Sequence, residues 1–347
     1  MKVFSAVLSA LLLSGWQYGV SGNPATVLHQ SPCNGHIELC TRPYNKVSFG
    51  CTHNSYSYAP PAGLPVLNQG RTIKEQLNDG IRAFMLDVVK PSPEETLWDR
   101  VQIFFRNLFT HDKATDDRVH LCHGSCDLID KGPLADTLVV FREFLDTNPN
   151  EVITFIIENV SGFHAKDLQP SFVHSGIEKY AFVPKPEFSA NSTNHAGYHW
   201  PTLGQMISDK QRLVVFIDSN SQTDVVPYML PEWEYVVEIP YANIHPIKEF
   251  PCNQDRPHDG VPRDLLVLNH FGYNRLTIAG NNIDTPLTSS QVQENKYNSL
   301  GSLQAHLNTC AKTWGESRVF NFITLDYYDV ENRSIFDIVD KINRVSK

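Results

Sequence analysis

Residues 152–158 read Val-Ile-Thr-Phe-Ile-Ile-Glu, an apolar and largely β-branched run that ends on a carboxylate. The run does not alternate between apolar and polar side chains, which is typical of a parallel strand covered on both faces. Similar runs predict seven more strands, at Val47–Thr52, Ile81–Val88, Arg118–Cys122, Leu213–Asp218, Tyr235–Ile239, Leu265–Asn269 and Val319–Asp326. Together they predict a parallel sheet that is covered on both sides.

Helical periodicity falls between several of these strands. The helical segments are Thr72–Asn78, Leu134–Asp146, Thr202–Lys210 and Ser302–Thr313, with a last amphipathic segment that starts at Ser334. Alternating strands and helices over roughly 325 residues predict an (α/β)₈ barrel of the TIM type. No repeat, low-complexity tract or Gly/Ser linker divides the chain, so we expect a single domain over residues 23–347.

The N-terminus has the order of a secretory signal peptide, which we place at residues 1–22. Lys2 precedes an apolar stretch at 3–13, and small residues precede Asn23. The apolar stretch is shorter than the ~20 residues that a bilayer-spanning helix requires. We therefore expect an exported protein without a transmembrane segment. Its formal net charge of −9 argues against a general nucleic-acid surface.

Seven cysteines in an exported chain favour disulfides over metal ligation. Cys33–Cys40 and Cys122–Cys126 are close enough in sequence to close local loops, and Cys252–Cys310 would then join distant segments. Sequence alone leaves this connectivity open. Cys51 is left over within an apolar segment, where a buried and inert thiol is expected.

Export also makes N-linked glycosylation relevant, because its acceptor sequons are modified in that compartment. Asn191 and Asn332 are the expected acceptors. A third sequon, at Asn159, ends an apolar strand, and we do not expect it to be modified.

The polar side chains that stand out chemically fall at the carboxyl ends of the predicted strands, where the catalytic face of such barrels is built. They are His53 and Asn54 after the first strand, Asp87 at the end of the second, His123 after the third, Glu158 at the end of the fourth and Asp326 at the end of the eighth. This shared position predicts that they converge on one face of the barrel.

Four segments, taken in order, resemble the X-region of phosphatidylinositol-specific phospholipases C. They are Ser48–Ser57, Gly80–Asp87, Leu121–Cys126 and Asn148–Asn159. Two later segments, Phe250–Pro257 and Asn321–Asp329, resemble secreted fungal and plant members of the same superfamily. The resemblance implies a secreted phosphodiesterase that acts on an inositol phospholipid at a membrane surface.

The resemblance also implies acid/base roles for two histidines, a residue type whose pKa lies near the working pH. His53 would deprotonate the inositol 2-hydroxyl, and His123 would protonate the leaving diacylglycerol oxygen. Asp326 would accept a hydrogen bond from His53 and hold its tautomer. The expected product is an inositol cyclic phosphate.

A calcium ion (Ca²⁺) is the expected cofactor beside this pair. Asn54, Asp87 and Glu158 match three oxygen ligands of the metal-dependent branch of the superfamily. Met85 stands where that branch has a further acid, so one ligand is missing. The metal-independent branch carries an arginine and a lysine instead, and neither replacement occurs here. Without a cation of either kind, nothing would neutralise the phosphate charge.

Two further observations concern substrate binding. His270 follows the seventh predicted strand and is a weaker candidate for lining the substrate pocket. The stretch Val214–Ser219 carries no basic residue where members that prefer polyphosphorylated inositides place lysines. Phosphatidylinositol or a glycosylated inositol lipid is therefore favoured over the bisphosphate.

Two alternative functions stay open, and so does the role of one segment. A related barrel phosphodiesterase would use similar residues on glycerophosphodiesters or sphingolipids, and a catalytically inactive barrel would only bind lipids or inositol phosphates. The segment at 97–109 has an apolar helical face, which either covers the barrel or dips into lipid at its rim. The sequence does not determine the oligomeric state.

Overall fold

The computed structural model describes residues 31–58, 67–91, 118–123, 126, 129–185, 198–278 and 281–346. The signal peptide predicted at 1–22, the apolar segment at 97–109 and the Asn191 sequon lie outside these residues. Asn332 lies within them, on an exposed turn that precedes the last helix.

Twelve strands are present in the described residues, and eight of them form a curled parallel sheet. They are β1 (Phe49–Thr52), β2 (Ala83–Val89), β3 (His120–Cys122), β4 (Asp130–Pro133), β5 (Ile153–Glu158), β6 (Leu213–Ile217), β7 (Met229–Pro231), β8 (Val236–Glu238), β9 (Leu265–Asn269), β10 (Tyr273–Ile278), β11 (Asn281–Pro286) and β12 (Phe322–Leu325). The parallel order is β7-β6-β5-β2-β1-β12-β9-β8. The fold is an α/β barrel, and within the described residues no ladder joins β7 to β8.

Eight α-helices accompany these strands in the described part of the chain. They are α1 (Ile73–Asp79), α2 (Leu134–Thr147), α3 (Ala165–Ser175), α4 (Leu203–Ser208), α5 (Glu232–Tyr235), α6 (Ser289–Glu294), α7 (Leu300–Trp314) and α8 (Ser334–Asn343). Several begin at a hydroxyl side chain that caps free backbone N–H groups. Thr72 and Glu75, for example, form a reciprocal capping box, and α1 ends at Gly80 with a φ of 114°. The five helical segments predicted from periodicity are confirmed.

The alternation of side chains along the strands separates an outer core from the barrel interior. Phe84 and Leu86 of β2 face outward and join the apolar layer under the helices. Ala83 and Met85 face inward, and Asp87 follows them on the same side at the barrel mouth. Because side chains alternate along β2, this apolar strand places the Asp87 carboxylate on the interior side.

The structure corrects one predicted barrel strand and adds another. The third predicted strand exists as β3, but it pairs antiparallel with β2 and β4 and lies off the parallel path. The missing barrel strand is β7, which pairs parallel to β6. A short apolar run carries no information on strand direction, and β7 has only three residues and ends on a proline, so its pattern gave no signal.

The structure contains the three predicted disulfides, Cys33–Cys40, Cys122–Cys126 and Cys252–Cys310. Cys51 is a buried free thiol on β1, as expected. Burial raises the pKa of this thiol to about 12, so it stays protonated and unreactive at neutral pH.

We expect the Cys252–Cys310 bond to stabilise the fold more than the Cys33–Cys40 bond. The bonded cysteines are 58 and 7 residues apart, and all four are buried. In the chain-entropy relation these separations correspond to about 4 and about 2 kcal/mol. Urea unfolding of Cys252→Ser/Cys310→Ser and of Cys33→Ser/Cys40→Ser measures both losses. Equal losses would contradict the loop-length explanation.

Candidate active site

His53 lies at the end of β1, held between a carboxylate and an aromatic wall. Its Nδ1 is 2.9 Å from Asp326 Oδ1, and its ring stacks on Phe271 with centroids 3.9 Å apart. The Tyr273 hydroxyl lies 3.5 Å from its Nε2. Because the carboxylate holds a proton on Nδ1, Nε2 keeps a free lone pair that can accept a proton.

The Asp326 carboxylate is itself positioned by a third residue. Asn68 Nδ2 donates to Asp326 Oδ1 over 3.0 Å and lies 3.2 Å from His53 Nδ1. Burial alone would lower the pKa of His53, but the charge and hydrogen bond of Asp326 raise it above its ordinary value, and Asp87 and Glu158 add to this effect. His53 is therefore the more basic imidazole of the site.

His123 reaches the same face through the β3–β4 hairpin. Because β3 is antiparallel to β2, with Leu121 opposite Val88, the chain returns toward Asp87 as β3 ends. The Tyr56 hydroxyl donates to the Cys122 carbonyl over 2.9 Å, and a disulfide joins Cys122, the last residue of β3, to Cys126. His123 was predicted at the end of a parallel strand, whereas this antiparallel pairing is what places it.

Asn54 links His123 to Asp87. Its amide is assigned with the nitrogen toward Asp87, because both carboxylate oxygens are acceptors. In this orientation Nδ2 donates to the two oxygens over 2.8 and 3.1 Å, and Oδ1 accepts from His123 Nδ1 over 2.8 Å. Burial, followed by the charge of His53, lowers the pKa of His123 to about 4. The environments of the two histidines thus separate their pKa values.

The mouth between these residues carries an excess of acid. In the described part of the chain its lining includes five carboxylates and one guanidinium, from Asp87, Glu158, Asp218, Glu232, Glu238 and Arg256. Arg256 pairs with Glu238 over 3.0 Å and lies against the rings of Trp233 and Tyr241. Glu238 is therefore its closest carboxylate partner, and its charge also acts on Glu232 and Glu158.

Neighbouring strands place two of these acids side by side. Asp87 of β2 is in register with Glu158 of β5, and both side chains reach the mouth. Burial, and then the charge of Glu158, raise the pKa of Asp87 to about 7. The charge of His53 lowers this pKa, but it offsets the effects of burial and Glu158 only in part.

The donor chemistry of the mouth suits a hard divalent cation, because carboxylate and amide oxygens predominate. Met85 faces the same interior and offers no oxygen, while Asp218 adds a carboxylate from the end of β6. Among the described residues, no three acid or histidine side chains of the mouth bring donor atoms within 4.8 Å of one another. The carboxylates would have to close around a bound ion.

His270 does not line this pocket, so its weaker assignment to substrate binding is wrong. Its side chain is fully buried, with Nδ1 2.8 Å from His306 Nδ1 and Nε2 2.8 Å from the Tyr297 carbonyl. Burial, and then His306, lower its pKa to about 3, so it is a neutral core residue. Along this strand Asn269 points inward to Glu238, and the next side chain consequently points outward.

Several residues of the site were not singled out from the sequence. Asp218 and Glu238 lie at or near the ends of predicted strands, and Arg256 lies in the segment Phe250–Pro257, which resembles secreted members of the superfamily. The sequence positions of these three residues could therefore have indicated a role in the site. The positions of Asn68, Phe271 and Tyr273 gave no such indication, because their roles depend on contacts with His53 across the fold.

The chain is similar to known proteins over most of its length. The family model PI-PLC X 1 matches residues 94–338. The PI-PLC X domain-containing protein 1 of Arthroderma benhamiae is 32% identical over 322 residues, which cover 92% of this chain and 91% of that protein. An uncharacterized secreted protein of the same fungus is 30% identical over 323 residues, or 91% of this chain but only 64% of that protein.

A solved structure is similar in fold. The phosphatidylinositol-specific phospholipase C from Listeria monocytogenes superposes with a TM-score of 0.52 at 16% identity, covering 87% of this chain and 94% of that one. Among the described residues, no helix combines the length and hydropathy needed to cross a membrane.

We expect Asp326→Asn to lower the pKa of His53. The substitution keeps the shape of the side chain but removes the charge that raises this pKa. An NMR titration of the His53 ring protons measures the change. Asp329→Asn, on the same turn but in contact with Arg71, is the matched control and should leave His53 unchanged. A His53 pKa that is the same in Asp326→Asn would contradict the electrostatic coupling.

Proposed function

This chain belongs to the PI-PLC X family, and we propose that it is a secreted phosphodiesterase that cleaves an inositol phospholipid. The observation that carries the proposal is the pair of imidazoles at one mouth, His53 held by Asp326 and His123 held by Asn54. Export is supported by the N-terminal pattern and by the secreted relative. The family and fold indicate a phospholipase-like phosphodiesterase, and the head group and mechanism are our inference.

His53 acts as the base in this proposal. Its Nε2 accepts the proton of the inositol 2-hydroxyl, and that oxygen forms a bond to phosphorus. The bond from phosphorus to the glycerol oxygen breaks, and the departing oxygen takes a proton from His123 Nε2. The products are an inositol cyclic phosphate and diacylglycerol, and the two histidines have exchanged protonation states.

His123 must carry a proton before the reaction, although its pKa in the free protein is about 4. A bound phosphodiester places a negative charge near this imidazole, and a nearby opposite charge favours the protonated form. In the metal-free protein Asn54 Oδ1 accepts the Nδ1 proton, which leaves Nε2 free to donate to the leaving oxygen. Substrate binding therefore favours the protonated form of His123, which can then act as the acid.

The acidic mouth favours an inositol ring without additional phosphates. Each ring phosphate would meet Asp218, Glu232 or Glu238, and the described mouth offers only Arg256 to balance it. Ring hydroxyls, by contrast, can donate to carboxylates. A buried oxygen of Glu232 has no hydrogen-bond partner in the structure and is suited to accept one of them. Phosphatidylinositol or a glycosylated inositol lipid fits this chemistry.

The acid excess also supports a calcium-assisted reaction. Asp87 and Glu158 would hold the ion with Asn54, whose oxygen would have to turn from His123. When bound, calcium would offset the charge on the phosphoryl oxygens and lower the pKa of the attacking hydroxyl. Because Met85 supplies no carboxylate, affinity should be weaker than with a full set of acids.

We expect His53→Ala and His123→Ala each to reduce turnover of phosphatidylinositol by at least ~10²-fold, the range for a positioned acid or base. Phosphorus NMR of the native reaction should show a cyclic inositol phosphate, which forms only by attack of the ring hydroxyl. His36→Ala, whose imidazole pairs with Asp340 away from the mouth, is the matched control. Near-native turnover of either active-site variant would overturn the assignment.

We expect calcium to bind at the mouth and to stabilise the folded protein. Calorimetric titration and the thermal midpoint report binding independently of turnover, since a ligand bound only by the native state raises the midpoint. Glu158→Gln should weaken binding and Met85→Glu should tighten it. Glu294→Gln, on α6 and outside the mouth, is the control. Full activity and an unchanged midpoint after exhaustive chelation would remove the metal from the mechanism.

A further inference from the structure

The hairpin formed by β10 and β11 has one apolar and one polar face. Leu276 is the cross-strand partner of Ile283, and the two side chains are 58% and 48% exposed. At the flanking positions Arg275 pairs with Asp284 over 2.6 Å, and the Thr277 hydroxyl donates to Asn282. Because side chains alternate along a strand, these polar pairs lie on the opposite face from Leu276 and Ile283.

The base of this hairpin is fixed to the barrel. A Cβ at Gly272 would lie 2.7 Å from the Asn243 carbonyl oxygen, so the backbone packs there at close range. The Gly272 carbonyl accepts from the Leu287 N–H. Asn274 and Gln291 exchange two hydrogen bonds across the return of the chain. The exposed apolar pair is therefore presented by an anchored ribbon.

The hairpin starts beside the candidate active site. Phe271, which stacks on His53, precedes it, and Tyr273, whose hydroxyl lies 3.5 Å from His53 Nε2, is its first residue. Two other exposed apolar side chains, Val160 and Tyr241, follow the ends of β5 and β8. The mouth is thus bordered by apolar side chains on several of its connections.

We propose that the β10–β11 hairpin inserts Leu276 and Ile283 into a phospholipid surface and thereby docks the mouth on the membrane. This inference rests on the proposed function, which places the scissile bond at such a surface. Two half-exposed side chains are far smaller than a stable protein interface of ~1,600 Å². Their area suits shallow insertion, in which binding scales with buried apolar surface.

The charges of the hairpin indicate what kind of lipid it requires. Arg275 and Asp284 neutralise each other, and the whole chain has a formal net charge of −9. Neither feature provides attraction to an anionic membrane. Docking should therefore depend on apolar burial and not on anionic lipid, so it should occur on zwitterionic vesicles.

The test is co-sedimentation of the full chain with vesicles of phosphatidylcholine alone, which contain no inositol lipid. Leu276→Ser/Ile283→Ser should lower the partition coefficient by ~10-fold or more, given the free energy of burying two aliphatic side chains. Val173→Ser, which removes a 54% exposed side chain on the outer helix α3, is the matched control and should change it by less than about twofold. Thermal midpoints establish that both variants are folded.

Three results would overturn the inference. Unchanged partition of the folded double variant would show that the hairpin does not insert. Binding that requires phosphatidylserine and is lost at high salt would show electrostatic docking instead. A change in oligomeric state of the double variant, with partition unchanged, would identify a protein interface. Since these vesicles contain no substrate, an enzyme that fails on phosphatidylinositol can still bind them, so the two proposals fail separately.

Discussion

The parallel ladder between β1 and β12 is the constraint on which the site depends. Four register pairs, from Phe49 with Phe322 to Thr52 with Leu325, join the first and last strands of the barrel. His53 and Asp326 are the next residues on the two strands, so the ladder brings them together at its carboxyl end. The backbone N–H of His53 continues the pairing by donating to the Leu325 carbonyl. A one-residue slip would turn these side chains to opposite faces.

The second histidine is held in a different way. His123 belongs to no barrel strand, and it follows Cys122, which is bonded to Cys126 and whose carbonyl accepts from the Tyr56 hydroxyl. His53 is thus part of a rigid ladder, whereas His123 depends on local contacts and on the Asn54 amide. The difference in environment separates their pKa values in the free protein, and a bound anion between them would narrow that separation.

Most of the site could be predicted because one rule covers it. In a barrel of parallel strands the carboxyl ends meet at one rim, so His53, Asp87, Glu158 and Asp326 were expected together, and the structure places them there. The same rule failed for His270, because it does not say to which side of the strand a terminal residue points. That direction follows from the pleat, and Asn269 occupies the inward position.

Other parts had no local signal in the sequence. The short strand β7 and the antiparallel direction of β3 depend on pairing with distant strands, which a hydrophobic pattern does not record. Asn68 likewise has an ordinary sequence context, and its contact with Asp326 joins residues 258 positions apart. Propensity and periodicity describe single elements, whereas these features belong to pairs of elements.

The acid excess at the mouth connects chemistry with stability. Five carboxylates around one guanidinium repel one another, and burial makes the charges of Asp87, Glu232 and Glu238 more costly to maintain. Well-packed apolar residues at these positions would remove this repulsion, so the cluster makes the folded state less stable than an apolar lining would. Burial and the charge of Glu158 raise the pKa of Asp87 to about 7, so this acid is partly protonated in the free protein at neutral pH. A cation or a polyhydroxyl ligand would reduce the same repulsion. Part of the binding free energy at this mouth would therefore come from the reduced repulsion among the carboxylates.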